Sequence, residues 1–299
     1  MTVVERDGSV RDMAVPGPHG SVPVRCYEAS GAPAGAPGLV WVHGGAFAYG
    51  DLDMPEADWV ARQLAARGVV VVSVDYRLAP AVDLGAEAGA AAPPATGACF
   101  PVPSDDVLAA FTWTHKHATD LGIDPRRLSV GGASAGADLA AGASLRLRDG
   151  GGPRPHSVLL AYPIVHAVLP AASAELAAKL DGLRADERFA PETVAAMNLN
   201  YAGEQAVLAN PYAFPGGHDL AGLPPTFILN SDVDSLRASG ERYATELEAA
   251  GVPVIVLREE GTRHGHLNEP DQPAALASIG RMSAWLHDET LDLTAVTKS

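Results

Sequence analysis

Four short segments of this 299-residue chain carry residues suited to nucleophilic chemistry. Ser134 sits in Gly132-Ala133-Ser134-Ala135-Gly136, Asp232 and Asp234 close one apolar run, and His264-Gly265-His266 follows another. Upstream, His43-Gly44-Gly45-Ala46 ends a third apolar run. A serine hydroxyl is a weak nucleophile near neutral pH and needs a neighbouring base to take its proton. A histidine base in turn needs a carboxylate to fix its tautomer and stabilise the imidazolium. Amides of a glycine-rich turn can donate to an oxyanion as it forms. Serine, acid and histidine in that chain order differ from the orders used by trypsin-like and subtilisin-like enzymes.

Each segment has a plainer alternative. A lone Gly-x-Ser-x-Gly is weak evidence, but here the strand-like residues 128–130 precede it and the alanine-rich, helical residues 135–148 follow. That context raises Ser134 on a sharp strand-to-helix turn, with helix amides aimed at developing charge. The amides of Gly44, Gly45, Ala46 and Ala135 are the expected oxyanion donors. His115, His117, His156 and His218 read as structural. A His-x-His pair also suits a metal, but no carboxylate or thiolate stands at ligand spacing beside His264 and His266, so neither metal nor cofactor is expected. Asp232 and Asp234 follow the same strand two residues apart, and spacing alone does not choose between them.

These groups need a scaffold. Residues 11–14 and 22–27 read as strands around the turn Pro16-Gly17-Pro18. The β-branched run Val69-Val70-Val71-Val72 reads as a strand covered on both faces. Strands over 38–42, 69–74, 128–130, 158–162, 226–230 and 254–257 alternate with helices over 57–67, 105–119, 135–148, 235–250 and 274–287. Repeated β-then-α units predict an α/β fold, a mostly parallel central sheet with helices on both faces. All four segments then fall at carboxyl ends of strands, where such sheets gather reactive groups. Residues 163–215 hold helical and loop character without a strand, and read as a helical cap inserted into a single domain spanning 1–299. Residues 81–99, rich in Ala, Gly and Pro, read as a flexible loop.

Composition narrows the classes. With 47% hydrophobic and 19% charged residues the chain can bury a large core. A net charge of −15 without clustered Lys or Arg argues against nucleic acid. No secretion signal is legible in residues 1–10, and no apolar stretch reaches the roughly 20 residues of a membrane span. Two cysteines, Cys26 and Cys99, make no metal-ligand pattern. A reducing cytoplasm is the default expectation, and a homodimer is left open.

The chain resembles the hormone-sensitive-lipase family of α/β-hydrolase carboxylesterases over nearly its whole length. The resemblance is carried by Val42-His43-Gly44-Gly45-Ala46-Phe47, by Asp75-Tyr76-Arg77-Leu78-Ala79-Pro80, and by Leu121-Gly122-Ile123-Asp124-Pro125-Arg126-Arg127 leading to the Ser134 segment. Leu223-Pro224-Pro225-Thr226 precedes the acidic pair in the same way. It implies the α/β-hydrolase fold and hydrolysis of a small-molecule ester through Ser134, Asp234 and His264. Asp234-Ser235-Leu236-Arg237 falls on the family's Asp-Pro-Leu-Arg pattern, which singles out Asp234, and His264-Gly265 on its His-Gly-Phe pattern. The family's oxyanion amides fall on Gly45, Ala46 and Ala135.

The chain departs from the family at Ala133, where Asp is usual, at Ala137, where Gly is usual, and at His266, which replaces an apolar residue. It is also longer over 81–99 and shorter before His43. These departures bear on the acyl pocket, and the reduced N-terminal region implies short- to medium-chain esters. Two other readings remain at this stage. One is a lactonase or biosynthetic cyclase using the same triad. The other is a non-catalytic small-molecule receptor, which the presence of His264 opposes.

Overall fold

The computed structural model describes residues 4–5, 9–31, 35–81, 97–184 and 188–288. Its strands are β1 (Val4–Glu5), β2 (Val10–Gly17), β3 (Gly20–Tyr27), β4 (Ala36–Val42), β5 (Val70–Val74), β6 (Ile123–Ala133), β7 (Val158–Ala161), β8 (Thr226–Val233) and β9 (Val254–Arg263). The helices are α1 (Asp58–Ala65), α2 (Val102–Lys116), α3 (Ala135–Gly150), α4 (Ala174–Leu180), α5 (Pro191–Ala202), α6 (Arg237–Ala249) and α7 (Pro273–Leu286). The described strands form one sheet in the order β1-β2-β3-β5-β4-β6-β7-β8-β9. β1 to β3 and the β3–β5 pair are antiparallel, and every pairing from β5 through β4 to β9 is parallel.

The apolar runs are continuous because both faces of the parallel strands are covered. Leu39, Trp41, Val71, Leu159, Phe227 and Leu229 face Val60 and Leu64 of α1 and Ile279 and Met282 of α7. Their strand neighbours Val40, Val42, Val72, Val130, Leu160 and Ile228 face Phe111 of α2, Leu139 of α3 and Leu247 of α6. Alternate side chains of one strand therefore serve two separate cores, as the period of two requires.

The sequence reading differs from the structure at several ends. Pro16 and Gly17 belong to β2, paired with Ser21 and Gly20, so the turn falls one step later, at residues 18–19. α2 begins at Val102, three residues early, and Pro103 fits its first turn because that position needs no amide donor. β8 and β9 run past their apolar stretches to Val233 and Arg263, paired Ser231 to Glu259 and Val233 to Arg263 with an irregularity between. Hydrophobicity could not mark those ends, since parallel pairing carries the polar residues along. Residues 82–96, most of the loop expected over 81–99, lie outside the described residues. Between β7 and β8, residues 163–215 hold α4, α5 and a 3-10 turn over Gln205–Ala209, with no strand among the described residues.

Candidate active site

β6 delivers Ser134 directly to the first turn of α3, with Ser134 itself at φ 52° and ψ −119°. That conformation is unfavourable for a side-chain-bearing residue and persists only where its surroundings hold it. Its amide donates to the carbonyl of Ala161 at 2.9 Å. Gly136 makes the tight turn possible, because a Cβ there would stand 2.2 Å from the Val42 carbonyl oxygen.

His264 follows β9 and faces the serine. The Ser134 hydroxyl donates to His264 Nε2 at 2.9 Å, and His264 Nδ1 donates to Asp234 Oδ2 at 2.7 Å. Asp234 is buried at the end of β8, where its Oδ1 accepts the Leu236 amide at 2.9 Å just before α6. The carboxylate is thereby fixed at both oxygens. Phe189 and Tyr162 each set a ring edge toward the imidazole at 5.0 Å between centroids.

Asp232 belongs to a different set of contacts. It pairs with Lys179 of α4, lies 3.3 Å from Arg237 and from Arg258, and accepts the Gly261 amide at 3.0 Å. The irregular β8–β9 register between Ser231 and Val233 turns the two aspartates to different partners.

The turn after β4 rises under the serine. Gly45 has φ 112°, Ala46 φ 52° and Phe47 φ 63°, and the Gly45 carbonyl accepts the amides of Ala48 and Tyr49. Of the four expected oxyanion donors, Gly44 is otherwise engaged: its amide donates to Glu56 Oε1 at 2.6 Å. The amides of Gly45, Ala46 and Ala135 have no protein acceptor among the described residues. His43 is fully buried, donates from Nδ1 to the Gly44 carbonyl at 2.7 Å and stacks on Tyr76 at 4.6 Å. Burial pushes its pKa down to about 4, so it serves the turn as a neutral ring.

His266 is equally structural. It bridges Ser231 and Ser278, at 2.9 Å to each hydroxyl, and Ser278 passes the chain on to Glu259. Burial and the nearby His264 push its pKa to about 3. Among the expected structural histidines, His117 donates to the Trp113 carbonyl and His156 lies 2.9 Å from Asp288. Cys26 is buried and Cys99 partly so, and burial raises the Cys26 thiol to about 11.

Sequence reasoning passed over Glu56, Tyr162 and Asn268. Glu56 accepts from Gly44, Tyr162 and Asn268 in a buried cluster. Before α1 it reads as an ordinary acidic helix start, and Asn268 stands 212 residues away. No local signal joins them. Among the described residues no three His, Cys, Asp or Glu side chains gather as a metal site, and no helix is long and apolar enough to cross a membrane.

A histidine from the last strand's loop between a strand-to-helix serine and an aspartate two strands away defines the α/β-hydrolase class. The chain belongs to the alpha/beta hydrolase fold family, whose model matches residues 39–268, and within it to the hormone-sensitive-lipase-like group. It is 37% identical over 281 residues to Esterase LipI of Mycobacterium tuberculosis, covering 91% of this chain and 79% of that protein. With Carboxylesterase NlhH of the same organism it shares 35% over 263 residues, covering 87% and 76%. The esterase of Pyrobaculum calidifontis superposes with a TM-score of 0.78 at 29% identity, over 95% of this chain and 87% of that one. EstE1, a thermostable carboxylesterase cloned from a metagenomic library, gives 0.78 at 30% identity, over 96% and 90%.

Proposed function

We propose that this protein is a serine carboxylesterase that hydrolyses small carboxylic esters through an acyl-enzyme on Ser134. The observation that carries the reading is the line Ser134–His264–Asp234, at 2.9 and 2.7 Å. The naming of its relatives as esterases and carboxylesterases supports it.

In the first half-reaction Ser134 Oγ attacks the ester carbonyl carbon while His264 Nε2 takes the hydroxyl proton. Asp234 holds the Nδ1–H and stabilises the imidazolium. The carbonyl oxygen, now anionic, receives the amides of Gly45, Ala46 and Ala135. Collapse breaks the ester C–O bond, and the imidazolium protonates the leaving alkoxide to an alcohol. Water, deprotonated by the same nitrogen, then attacks the acyl carbon and releases the carboxylic acid, with Ser134 regaining its proton.

The proposed cap, residues 163–215 of a single domain, packs against this site through aromatic side chains. Phe189 packs its edge on His264, and Tyr201 stacks on Phe47 of the oxyanion turn at 4.0 Å, with Phe214 across both rings. We extend the reading to acyl groups of short to medium length, which the family resemblance implies.

Hydrolysis of p-nitrophenyl acetate and butyrate by the purified protein tests the reading, together with fluorophosphonate labelling mapped by mass spectrometry. Label on Ser134, and loss of turnover in Ser134→Ala without unfolding, are expected. Wild-type-like turnover in Ser134→Ala overturns the assignment, and an acyl series peaking at twelve carbons or more overturns the chain-length preference.

A further inference from the structure

The buried carboxyl group of Glu56 has no part in the mechanism above, yet it touches both the turn after β4 and the loop that carries His264. Glu56 is 2% exposed. Its Oε1 accepts the Gly44 amide at 2.6 Å, at the base of the oxyanion turn. Its Oε2 accepts the Tyr162 hydroxyl, from the residue after β7, and Asn268 Nδ2 at 3.2 Å, from the turn that follows His264. The backbone joins in, since the Glu56 amide donates to Asn268 Oδ1 at 3.1 Å and its carbonyl accepts Trp41 Nε1 at 2.8 Å.

Two features point beyond scaffolding. The partners are all donors, an arrangement suited to an ionised carboxylate, while no Lys or Arg pairs with Glu56 among the described residues. The opposite charge it meets is His264 when protonated, a favourable interaction that works against the burial raising the Glu56 pKa. The charge also sits close to the reacting atoms: a Cβ on Gly44 would lie 2.6 Å from Glu56 Oε1 and 3.0 Å from Ser134 Cβ. Tyr162, held at an unfavourable φ of 36°, reaches from the Glu56 carboxylate to the edges of both His264 and His266.

We propose that Glu56 is a positioning residue for ester hydrolysis, which locks the oxyanion turn, Tyr162 and the His264 loop into one frame and sets a second buried negative charge beside the imidazolium. Asp234 orients the ring from the Nδ1 side, and Glu56 acts through Tyr162 and Asn268 from beneath. Among the described residues, titratable groups that face His264 include Asp234 from the end of β8, Tyr162 after β7, His266 on its own loop and Glu56 before α1. His266 stays neutral, and Arg281 faces it from α7. Removing the Glu56 charge therefore disfavours protonation of His264.

The inference rests on the esterase reading, and one experiment separates the two. Ser134→Ala, Glu56→Gln and Glu56→Asp are compared with wild type for kcat and KM on p-nitrophenyl butyrate from pH 4.5 to 9, with circular dichroism and Tm as folding controls. Glu56→Gln is expected to lose about 10- to 100-fold in kcat with KM little changed. The acid limb of its kcat/KM profile moves to lower pH. Glu56→Asp retains the charge but loses reach to Gly44, so its kcat falls while its acid limb stays with wild type. A folded Glu56→Gln with wild-type kcat and an unmoved acid limb overturns the inference alone, provided wild type is active and Ser134→Ala is not. Where Glu56→Gln does not fold, wild-type kcat in Glu56→Asp overturns it. A wild-type protein that hydrolyses no ester, or an active Ser134→Ala, overturns the esterase reading and this inference with it.

Discussion

Asp232 and Asp234 leave the same strand two residues apart, and only Asp234 meets the imidazole. Its Oδ2 accepts from His264 at 2.7 Å, whereas Asp232 is ringed by Lys179, Arg237 and Arg258. Asp234→Asn is expected to lose about 10²- to 10⁴-fold in turnover, because the ring loses its orienting acceptor while the oxyanion donors remain. Asp232→Asn should stay within about tenfold of wild-type turnover and lower the Tm instead, since three cations lose a shared, nearly buried partner. Steady-state kinetics and thermal melts of the two variants check this, and the reverse order refutes it.

Gly45 sets the shape of the turn proposed to hold the oxyanion. At φ 112° an added Cβ would sit 2.1 Å from the Tyr49 carbonyl oxygen, so Gly45→Ala must deform the turn. A loss of about 10²-fold or more in kcat is expected, the cost of displacing oxyanion donors. Gly122→Ala serves as control, because that site also has positive φ yet opens onto free space. Equal kinetics for the two variants would refute the role of the turn.

Acid stability follows from His43 and His266. Both are pushed down, to about 4 and about 3, from an unfolded value of roughly 6.5. Below that value the unfolded chain takes up protons that the folded protein refuses, so stability falls as pH drops from about 6.5 toward 4 and 3. Each histidine contributes a slope of up to about 1.4 kcal/mol per pH unit. His266→Phe removes one of the two. Urea titrations at pH 8, 6 and 4.5 should give a shallower acid-side loss, relative to the variant's own value at pH 8. An unchanged slope contradicts the assignment.

Asp75 carries the opposite sign. Burial, with Asp51, Asp53 and Asp12 nearby, raises its carboxyl to about 6. The folded protein therefore holds that proton more tightly than the unfolded chain, and its contribution is full below about 3.8 and is lost as pH rises through 6. Asp75→Asn should raise the Tm at pH 8 more than at pH 4.5. A pH-independent difference would remove the basis for this.

The alternation of strands and helices was legible because packing on both faces imposes continuous apolar runs, as in Val70–Val74. Ser134 and His264 were legible because each stands beside a turn of distinctive glycine spacing. Asp234 needed the resemblance, since the irregularity that parts it from Asp232 arises from pairing with β9 and leaves no mark in local sequence. The Gly44 amide, expected to face the oxyanion, donates instead to Glu56 Oε1, and that bond was illegible for a related reason: Glu56 approaches through tertiary packing and has no pattern of its own. Polar strand ends such as Ser231 and Glu259 were missed because hydrophobicity stops where pairing does not.

Ser134 and His264 are 130 residues apart, and the Glu56–Asn268 contact spans 212. On the proposed mechanism Ser134 and His264 thus meet only when β9 has docked on β8, the kind of long-range closure that slows folding. Regain of ester turnover after dilution from denaturant would then report completion of the whole sheet and lag behind the return of helical ellipticity. During synthesis Ser134 emerges 130 residues before His264, so on the proposed mechanism a nascent chain stays chemically silent until β9 and the loop after it have left the ribosome.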